Sequence, residues 1–115
     1  MAKRIEKVNE LIREVVSGIV LRSIQFPEGA LVTVTRVDTS PDIHYANIFI
    51  TVFSQNGGDA EAVIEIIKKD IGSIQHELNK KLRMRPVPRI TFLIDEEEAR
   101  RERIEELLKK PDQAE

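Results

Sequence analysis

Apolar residues recur every three or four positions between Ile5 and Val20, and charged residues fill most of the positions between them. This spacing places the apolar side chains along one face of a helix. We therefore predict a helix over residues 3–24, which ends before the turn residues Pro27 and Gly29. Its apolar face consists of Ile5, Val8, Leu11, Ile12, Val15, Val16, Ile19 and Val20.

Two strand-like segments follow, over residues 31–38 and 44–53. The first is rich in β-branched residues, and the second is apolar on both of its alternating faces, as is typical of a central strand. The Ser-Pro-Asp sequence at residues 40–42 favours a turn, so we predict an antiparallel hairpin. Alternation along the first strand predicts that one face carries Leu31, Thr33, Thr35 and Val37.

Two shorter helices are predicted next. Asp59 is a suitable N-cap for a helix over residues 60–69. Apolar residues then repeat at helical spacing from Ile71 to Leu82, which indicates a second helix. Gly72 falls where the two patterns meet, so we expect a break between the helices at this point.

The remaining chain predicts one more strand and one more helix. Pro86 and Pro88 favour an extended segment, and the alternation from Ile90 to Asp95 predicts a third strand. From Glu96 onward we expect a charged helix that ends in a frayed tail. The apolar stripe of that helix consists of Ile104, Leu107 and Leu108.

The order of these elements predicts an α+β fold: helix, strand, strand, helix, helix, strand, and an added C-terminal helix. The simplest arrangement is a three-stranded mixed sheet with helices on one face, in which a parallel third strand requires a right-handed crossover. No internal repeat divides the chain. We predict one domain over residues 1–95 and a charged C-terminal helix with a frayed tail over residues 96–115.

The composition of the 115 residues excludes several kinds of site. The chain has no Cys, which excludes disulfides, thiolate metal ligands and a cysteine nucleophile. Only two His residues are present, so no metal site is predicted, and no cofactor is expected. The N-terminus is charged and no apolar run is long enough to span a bilayer, so we expect a cytoplasmic protein without a membrane partner.

The distribution of charge points to a phosphate-bearing partner, although the net charge is −2. Residues 68–89 carry seven basic and two acidic residues, whereas the segments on either side are acidic. A local positive potential attracts phosphates more effectively than the net charge suggests. The basic residues of this block are Lys68, Lys69, Lys80, Lys81, Arg83, Arg85 and Arg89. The alternative interpretation is an ordinary solvated surface.

Catalytic residues are hard to assemble from this sequence. Neither His44 nor His76 is tied to a nucleophile by its spacing, and Ser40 lies outside a nucleophile-elbow sequence. Asp38 and Asp42 flank the hairpin turn, and we expect both to brace it. The acidic run at residues 95–98 fits the first turn of a helix better than a cation site. We therefore predict a protein without catalytic activity.

Aromatic residues are few, and most lie at strand positions suited to a core. Tyr45 is the candidate for stacking on a nucleic-acid base. Recognition through shape and phosphate contacts is therefore favoured over base stacking. A different class of function is also open: a small α/β module that uses its basic face to bind an acidic protein.

Three segments of the sequence resemble the ribosome-binding factor A family. The first hairpin, Val34-Thr35-Arg36-Val37-Asp38-Thr39-Ser40-Pro41-Asp42 followed by Tyr45-Ala46-Asn47-Ile48, is similar to one family signature. The stretch from Gly72-Ser73-Ile74-Gln75 through Leu82-Arg83-Met84-Arg85-Pro86-Val87-Pro88-Arg89-Ile90-Thr91-Phe92 to Asp95 is similar to a second. Arg4 with Lys7-Val8 is similar to the basic opening helix of the family. The resemblance covers roughly residues 3–108.

The resemblance implies a type II KH-like fold and a role in ribosome biogenesis. Members of the family bind small-subunit ribosomal RNA and free small ribosomal subunits, and they assist late maturation of the subunit, including rRNA processing. A non-enzymatic cytoplasmic protein that is a monomer off the ribosome is expected. The expected RNA-binding residues are Lys68, Lys69, Lys80, Lys81, Arg83, Arg85 and Arg89, together with Arg4 and Lys7.

The chain departs from KH domains at the junction between its two short helices. It lacks the GXXG loop with which ordinary KH domains clamp a nucleic-acid backbone. The family has an interhelical kink of the Ala-x-Gly kind, and the matching residues here are Asp70-Ile71-Gly72. The resemblance therefore makes Gly72 the kink residue, and we expect its φ or its close packing to resist a Cβ atom.

Overall fold

The computed structural model describes residues 2–54, 60–98, 100, 101 and 104, with side chains from Arg4 onward. The predicted order of elements is confirmed. The elements are α1 (Ala2–Ser23), β1 (Ala30–Thr39), β2 (Tyr45–Ser54), α2 (Ala60–Lys69), α3 (Ile71–Lys81) and β3 (Arg89–Ile94). After β3, residues 96–98, 100, 101 and 104 are helical. The predicted N-cap Asp59, the stripe residues Leu107 and Leu108 and the tail lie outside the described residues.

The three strands form one mixed sheet in the order β1-β2-β3. β1 pairs with β2 in an antiparallel hairpin, and β2 pairs with β3 in parallel. The predicted hairpin and the predicted mixed sheet are therefore correct. β2 is the central strand, which explains why the sequence there is apolar at almost every position.

The core lies between the sheet and the helices. Alternate residues of β2, namely Ala46, Ile48 and Ile50, are at most 1% exposed, and the residues between them face the other side. They pack with buried residues of all three helices. The helical contributors with no exposed surface at all are Ile12, Val16, Val63, Ile67 and Leu78. Helices α1, α2 and α3 thus cover one face of the sheet, which we call the covered face, and we call the other face, which none of these three helices covers, the open face.

A β-bulge changes the alternation of β1. The register with β2 shifts between Val34 and Arg36, so Thr35 is an extra residue in this strand. Consequently Val34 and Val37 both lie on the covered face, whereas Leu31 is 60% exposed. The predicted common face of Leu31, Thr33, Thr35 and Val37 is wrong, because strict alternation fails across a bulge.

The break between α2 and α3 lies at Asp70, two residues before Gly72. Asp70 has φ −99° and ψ 8°, and its backbone carbonyl accepts a hydrogen bond from Ile74 N at 3.0 Å. Gly72 lies in the first turn of α3, and a Cβ added there meets no atom within 4 Å. Its φ is not positive, unlike that of Gly29. The expectation that Gly72 resists a Cβ is therefore wrong. The role of Gly72 as the kink residue stays a prediction.

No helix among the described residues is long and apolar enough to cross a membrane. The division between residues 1–95 and residues 96–115 remains a prediction, since most of the second segment lies outside the described residues. What the structure does fix is the start of the last helix. Asp95 accepts a hydrogen bond from Glu98 N at 3.0 Å, which is the geometry of a helix N-cap.

Candidate nucleic-acid interface

Four of the predicted RNA-binding residues lie around the end of α3. We call Lys80, Lys81, Arg83 and Arg85 the helix-end basic group, and all four are exposed. Leu82, which is 2% exposed, anchors the chain in the core between them. Cations are favoured at this position even without a ligand, because the C-terminus of a helix carries a partial negative charge. The group therefore combines a local positive charge with a fixed backbone.

The four members differ in the ion pairs and hydrogen bonds that their side chains already form within the protein. Lys81 Nζ lies 3.8 Å from Glu77 Oε2, and both side chains are partly solvated. Arg85 Nη1 donates to the carbonyl oxygens of Met84 and Leu82, at 2.7 and 3.2 Å. Within the described part of the chain, the side chains of Lys80 and Arg83 form no ion pair or hydrogen bond. Lys80 and Arg83 are thus the most available for phosphates, while Arg85 also shapes its own loop.

Two other basic residues lie at the opposite end of α3. Lys68 and Lys69 are exposed and end α2. Nine residues of α3, from Ile71 to Asn79, lie between them and Lys80, the first member of the helix-end basic group, which corresponds to roughly 14 Å at 1.5 Å per residue. Lys68 also has an acidic neighbour, since its Nζ lies 4.0 Å from Glu65 Oε2. The structure does not bring these lysines next to the helix-end basic group.

The last predicted residues lie at the end of the sheet where the hairpin turns. Arg89 begins β3 and pairs in register with Tyr45, and both residues are exposed on the open face. The backbone N–H of Thr39 donates to Asn9 Oδ1 at 3.0 Å, so the first turns of α1 lie at the same end. Those turns carry Arg4 and Lys7, both exposed. We call Arg4, Lys7 and Arg89 the hairpin-end basic group.

The hairpin turn is held by a network around Asp42. Ser40 Oγ donates to Asp42 Oδ1 at 2.6 Å, and the backbone N–H of His44 donates to the same oxygen at 3.1 Å. The Ser40 hydrogen bond is the main reason why the pKa of Asp42 lies below its usual value. Ile43 has a positive φ of 61°, and such a conformation in a β-branched residue needs support from its surroundings. Asp42 braces the turn as predicted.

A serine, an aspartate and a histidine meet in this turn, but their connections are those of a structural network. His44 Nδ1 lies 3.4 Å from Asp42 Oδ2. In a nucleophilic triad the serine hydroxyl gives its proton to the histidine. Here the Ser40 hydroxyl donates to the carboxylate instead, and its oxygen accepts from Tyr45 N at 3.1 Å. The arrangement fixes the backbone of the turn, and Ser40 does not donate to His44 as a triad requires.

A concave surface lies beside this turn. We call it the hairpin pocket, and its lining residues are Asp38, Thr39, Ser40, Pro41, Tyr45 and Asn47. Tyr45 is 61% exposed. The side chains of Asp38 and Asn47 form no hydrogen bond or ion pair with any residue in the described ranges. Asp38 therefore does not brace the turn, contrary to the prediction, and its carboxylate faces solvent.

The exposed aromatic residues also differ from the prediction. Phe92 is 3% exposed and belongs to the core, as expected for a strand residue. Phe53, however, is 55% exposed on the open face. Phe49 lies under Arg36, whose guanidinium carbon is 3.8 Å from the ring centroid. The sequence did not predict this distribution, because it does not reveal that α1, α2 and α3 all pack on the same face of the sheet.

A second cluster on the open face surrounds Asp95, a buried carboxylate that is 4% exposed. Thr35 Oγ1 donates to Asp95 Oδ2 at 2.6 Å, and Arg36 Nε lies 3.5 Å from the same oxygen. Burial raises the pKa of Asp95, but the hydrogen bonds from Thr35 and Glu98 and the charge of Arg36 outweigh burial and lower it. The bulge at Thr35 thus joins β1 to the start of the last helix.

The described residues form no cluster of metal-binding side chains. Within residues 2–54, 60–98, 100, 101 and 104, no group of three or more His, Cys, Asp or Glu side chains could hold a metal ion. The acidic run from Asp95 to Glu98 forms a helix start, in which Asp95 is the cap.

Comparisons with known proteins point to a single family. The family model described as Ribosome-binding factor A matches residues 4–108. The ribosome-binding factor A of Geobacter metallireducens is 36% identical over 109 residues, covering 95% of this chain and 92% of the relative. That of Geotalea uraniireducens is 38% identical over 111 residues, covering 95% and 88%.

Solved structures agree on the fold. The crystal structure of ribosome-binding factor A from Thermus thermophilus superimposes with a TM-score of 0.67 at 19% identity, covering 78% of this chain and 93% of that one. A homology model of the Thermus thermophilus protein, fitted into a cryo-electron-microscopy map of a 30S complex, gives a TM-score of 0.63 at 20% identity and covers 74% and 88%. The KH-like order of helices and strands is shared. The chain belongs to the ribosome-binding factor A family.

Proposed function

We propose that this protein is a non-enzymatic ribosome assembly factor, which binds small-subunit ribosomal RNA and assists late maturation of the small subunit, including rRNA processing. The observation that carries the proposal is the helix-end basic group on a member of the ribosome-binding factor A family. A related structure fitted into a map of a 30S complex supports the same partner. Free small subunits are the expected particles.

Counterion release is the physical basis of this binding. Each phosphate that a Lys or Arg neutralises releases condensed cations, and this supplies most of the affinity that does not depend on sequence. Lys80 and Arg83 have no acidic partner among the described residues, so no internal ion pair has to break before they contact a phosphate. Lys81 gives up an exposed pair at 3.8 Å, which costs little.

The remaining predicted cations extend the contact. Arg4, Lys7 and Arg89 lie at the hairpin end, and Lys68 and Lys69 lie beyond the other end of α3. A ribosomal RNA surface is large enough to reach more than one of these groups, whereas a short acidic peptide is not. We expect the protein to act as a cytoplasmic monomer off the ribosome, with no cofactor and no catalytic turnover.

The experiment that tests the function is recovery of the tagged full-length protein from bacterial lysate with its bound particles, followed by sedimentation and analysis of the rRNA. The expected result is comigration with free small subunits that carry unprocessed rRNA. Comigration with neither small subunits nor their precursors would overturn the proposal. Retention of an acidic protein in nuclease-treated lysate, with no ribosomal particle bound, would favour the protein-binding module instead.

A further inference from the structure

The hairpin pocket has the chemistry of a site for one nucleic-acid base. Tyr45 offers an aromatic surface that is 61% exposed. Its neighbour in β3, Arg89, is displayed on the same face because the two residues pair in register. Asp38 and Asn47 also pair in register, one row farther along the open face. An aromatic ring, a guanidinium, a carboxylate and a carboxamide therefore share one small region.

These side chains are presented by a rigid backbone. Ser40 N donates to Tyr45 O at 2.8 Å, and Tyr45 N donates to Ser40 Oγ at 3.1 Å. Arg89 N donates to His44 O at 2.9 Å, which fixes β3 against the same corner. Because the backbone is already fixed, only the side chains have to be ordered when a ligand binds, which keeps the entropic cost of binding small. The rigid turn thus forms one side of the pocket, next to Tyr45.

The polar groups of the pocket favour a guanine. A carboxylate only accepts hydrogen bonds, so Asp38 requires a ligand that donates. The Watson–Crick edge of guanine carries two adjacent donors, N1–H and the N2 amino group. Adenine and cytosine place a ring acceptor beside their single amino group, and uracil flanks its one N–H with two carbonyl oxygens. The amide of Asn47 can donate to guanine O6.

The charge around the pocket favours RNA over a protein side chain. A Lys or Arg from a protein would satisfy Asp38 and stack on Tyr45. Arg89, however, is the register partner of Tyr45 and is exposed on the same face, where it repels a cation. The same residue attracts a phosphate that flanks the base. Asp38 in turn repels phosphates, so we expect the base to lie near Asp38 and the RNA backbone to lie near Arg89.

We propose that the hairpin pocket binds a single unpaired guanine of RNA, in which Tyr45 stacks on the base, Asp38 accepts from N1–H and the N2 amino group, and Arg89 contacts an adjoining phosphate. This proposal rests on the proposed function, since it assumes an RNA partner. It adds base selectivity to a surface that otherwise contacts only phosphates. Unpaired bases are the usual targets when proteins recognise RNA by sequence.

Binding of short RNAs to the full-length protein tests the base selectivity. The probes are uridine hexanucleotides that carry one central guanine, inosine or adenine, and the readout is affinity by titration. Wild type should prefer guanine to adenine by roughly 5- to 150-fold, the range for a good bidentate pair. Inosine, which lacks the N2 amino group, should fall between them. Asp38→Asn should abolish the preference, and the adenine probe should bind at least as tightly as to wild type, because the charge that repels phosphates is gone.

Variants of Tyr45 test the stacking. Tyr45→Ala should weaken binding of the guanine probe by roughly 5- to 150-fold, and Tyr45→Phe should restore it. Phe53→Ala is the matched control, because Phe53 is a comparably exposed aromatic residue on the same face. Thermal melting of each variant establishes that it is folded. Guanosine monophosphate that binds as tightly as the hexanucleotide would overturn the assignment to RNA.

The outcomes separate this proposal from the proposed function. If ribosomal RNA binds but base identity, Asp38→Asn and Tyr45→Ala have no effect, the guanine site is wrong and the assembly function stands. If no RNA binds, including small-subunit rRNA fragments, both are wrong. Loss of ribosomal particles in Tyr45→Ala without any loss of RNA affinity would assign the pocket to a protein and overturn the guanine site.

Discussion

The two faces of the sheet use the same three strands, yet they differ in burial and in chemistry. On the covered face, Ala46, Ile48 and Ile50 are at most 1% exposed and pack against helices. On the open face, Tyr45 and Phe53 are more than half exposed. The covered face contributes stability through apolar burial, at about 1.5–3 kcal/mol for each large side chain. The open face instead presents groups that a partner can contact.

This difference shows how a small domain separates folding from binding. The open face is not simply unused surface, because the Asp95 cluster fixes its centre and the braced turn fixes one end. The helix-end basic group lies outside the sheet, in the last turn of α3 and just after it. Stability and the proposed ligand contacts therefore involve largely different residues, and substitutions can test them separately.

The largest expected effect comes from the covered face. Ile48→Ala removes a side chain with no exposed surface from the central strand, and we expect a loss of about 2–5 kcal/mol in the free energy of unfolding. The measurement is chemical denaturation monitored by circular dichroism. Leu31→Ala, on the open face and 60% exposed, is the matched control and should change stability by less than about 0.5 kcal/mol. Similar losses for both variants would contradict the distinction between the faces.

The next effect tests whether the open face contains a structural element of its own. Asp95→Asn keeps the shape of the side chain but removes the charge that Thr35 Oγ1 and Arg36 contact. We expect a loss of roughly 1.5–3 kcal/mol in the free energy of unfolding, as for a hydrogen bond to a charged group. The exposed Asp38→Asn is the control and should be nearly neutral in denaturation. Equal stability of Asp95→Asn and wild type would show that this cluster does not stabilise the fold.

The same carboxylate predicts a dependence on pH. Burial of Asp95 raises its pKa, but the Thr35 and Glu98 hydrogen bonds and the Arg36 charge lower it below the ordinary 3.8 overall. The unfolded chain therefore takes up this proton first, so the stabilisation is complete above about pH 3.8 and is lost as pH falls through the lower folded-state pKa. The stability difference between wild type and Asp95→Asn should shrink from neutral pH to about pH 3. A constant difference would show that the Asp95 charge does not stabilise the fold.

The smallest effect concerns Gly72, which lies on neither face of the sheet. A Cβ at this position meets no atom within 4 Å, and the φ of Gly72 is not positive. Gly72→Ala should therefore raise the free energy of unfolding, by up to about 1 kcal/mol. Thermal melting of the variant measures this, with RNA affinity as a second readout. A less stable variant would mean that the junction needs a glycine for a reason that its surroundings do not reveal.

Periodicity predicted the elements well because each one buries a stripe of side chains. The helix over 60–69 agrees with α2 at both ends, and the apolar character of β2 correctly indicated a central strand. The bulge at Thr35 could not be predicted, since an extra residue in a strand depends on its pairing with the neighbour. The face of Leu31 was therefore assigned wrongly.

The candidate site was only partly visible in the sequence. The basic residues from Lys68 to Arg89 form one block in the sequence. In the folded protein, however, Arg89 lies on the open face of the sheet, and Lys68 lies just before the N-terminus of α3. The position of Arg4 at the hairpin end depends on how α1 packs, which no local pattern encodes. The pocket around Asp38 and Tyr45 likewise arises from cross-strand register, so the sequence showed Tyr45 alone as a candidate.

Binding of small-subunit ribosomal RNA by the helix-end basic group can be tested through RNA affinity measured across a range of salt concentrations. The variant is Lys80→Ala, Lys81→Ala and Arg83→Ala combined, which leaves Arg85 to hold its loop. Its matched control removes the same charge elsewhere, through Arg13→Ala, Arg100→Ala and Arg101→Ala. We expect the first variant to melt like wild type, to bind RNA more weakly, and to have a salt slope shallower by roughly two to three. Equal RNA affinity and salt slope for the two variants would show that the helix-end basic group is not the RNA contact.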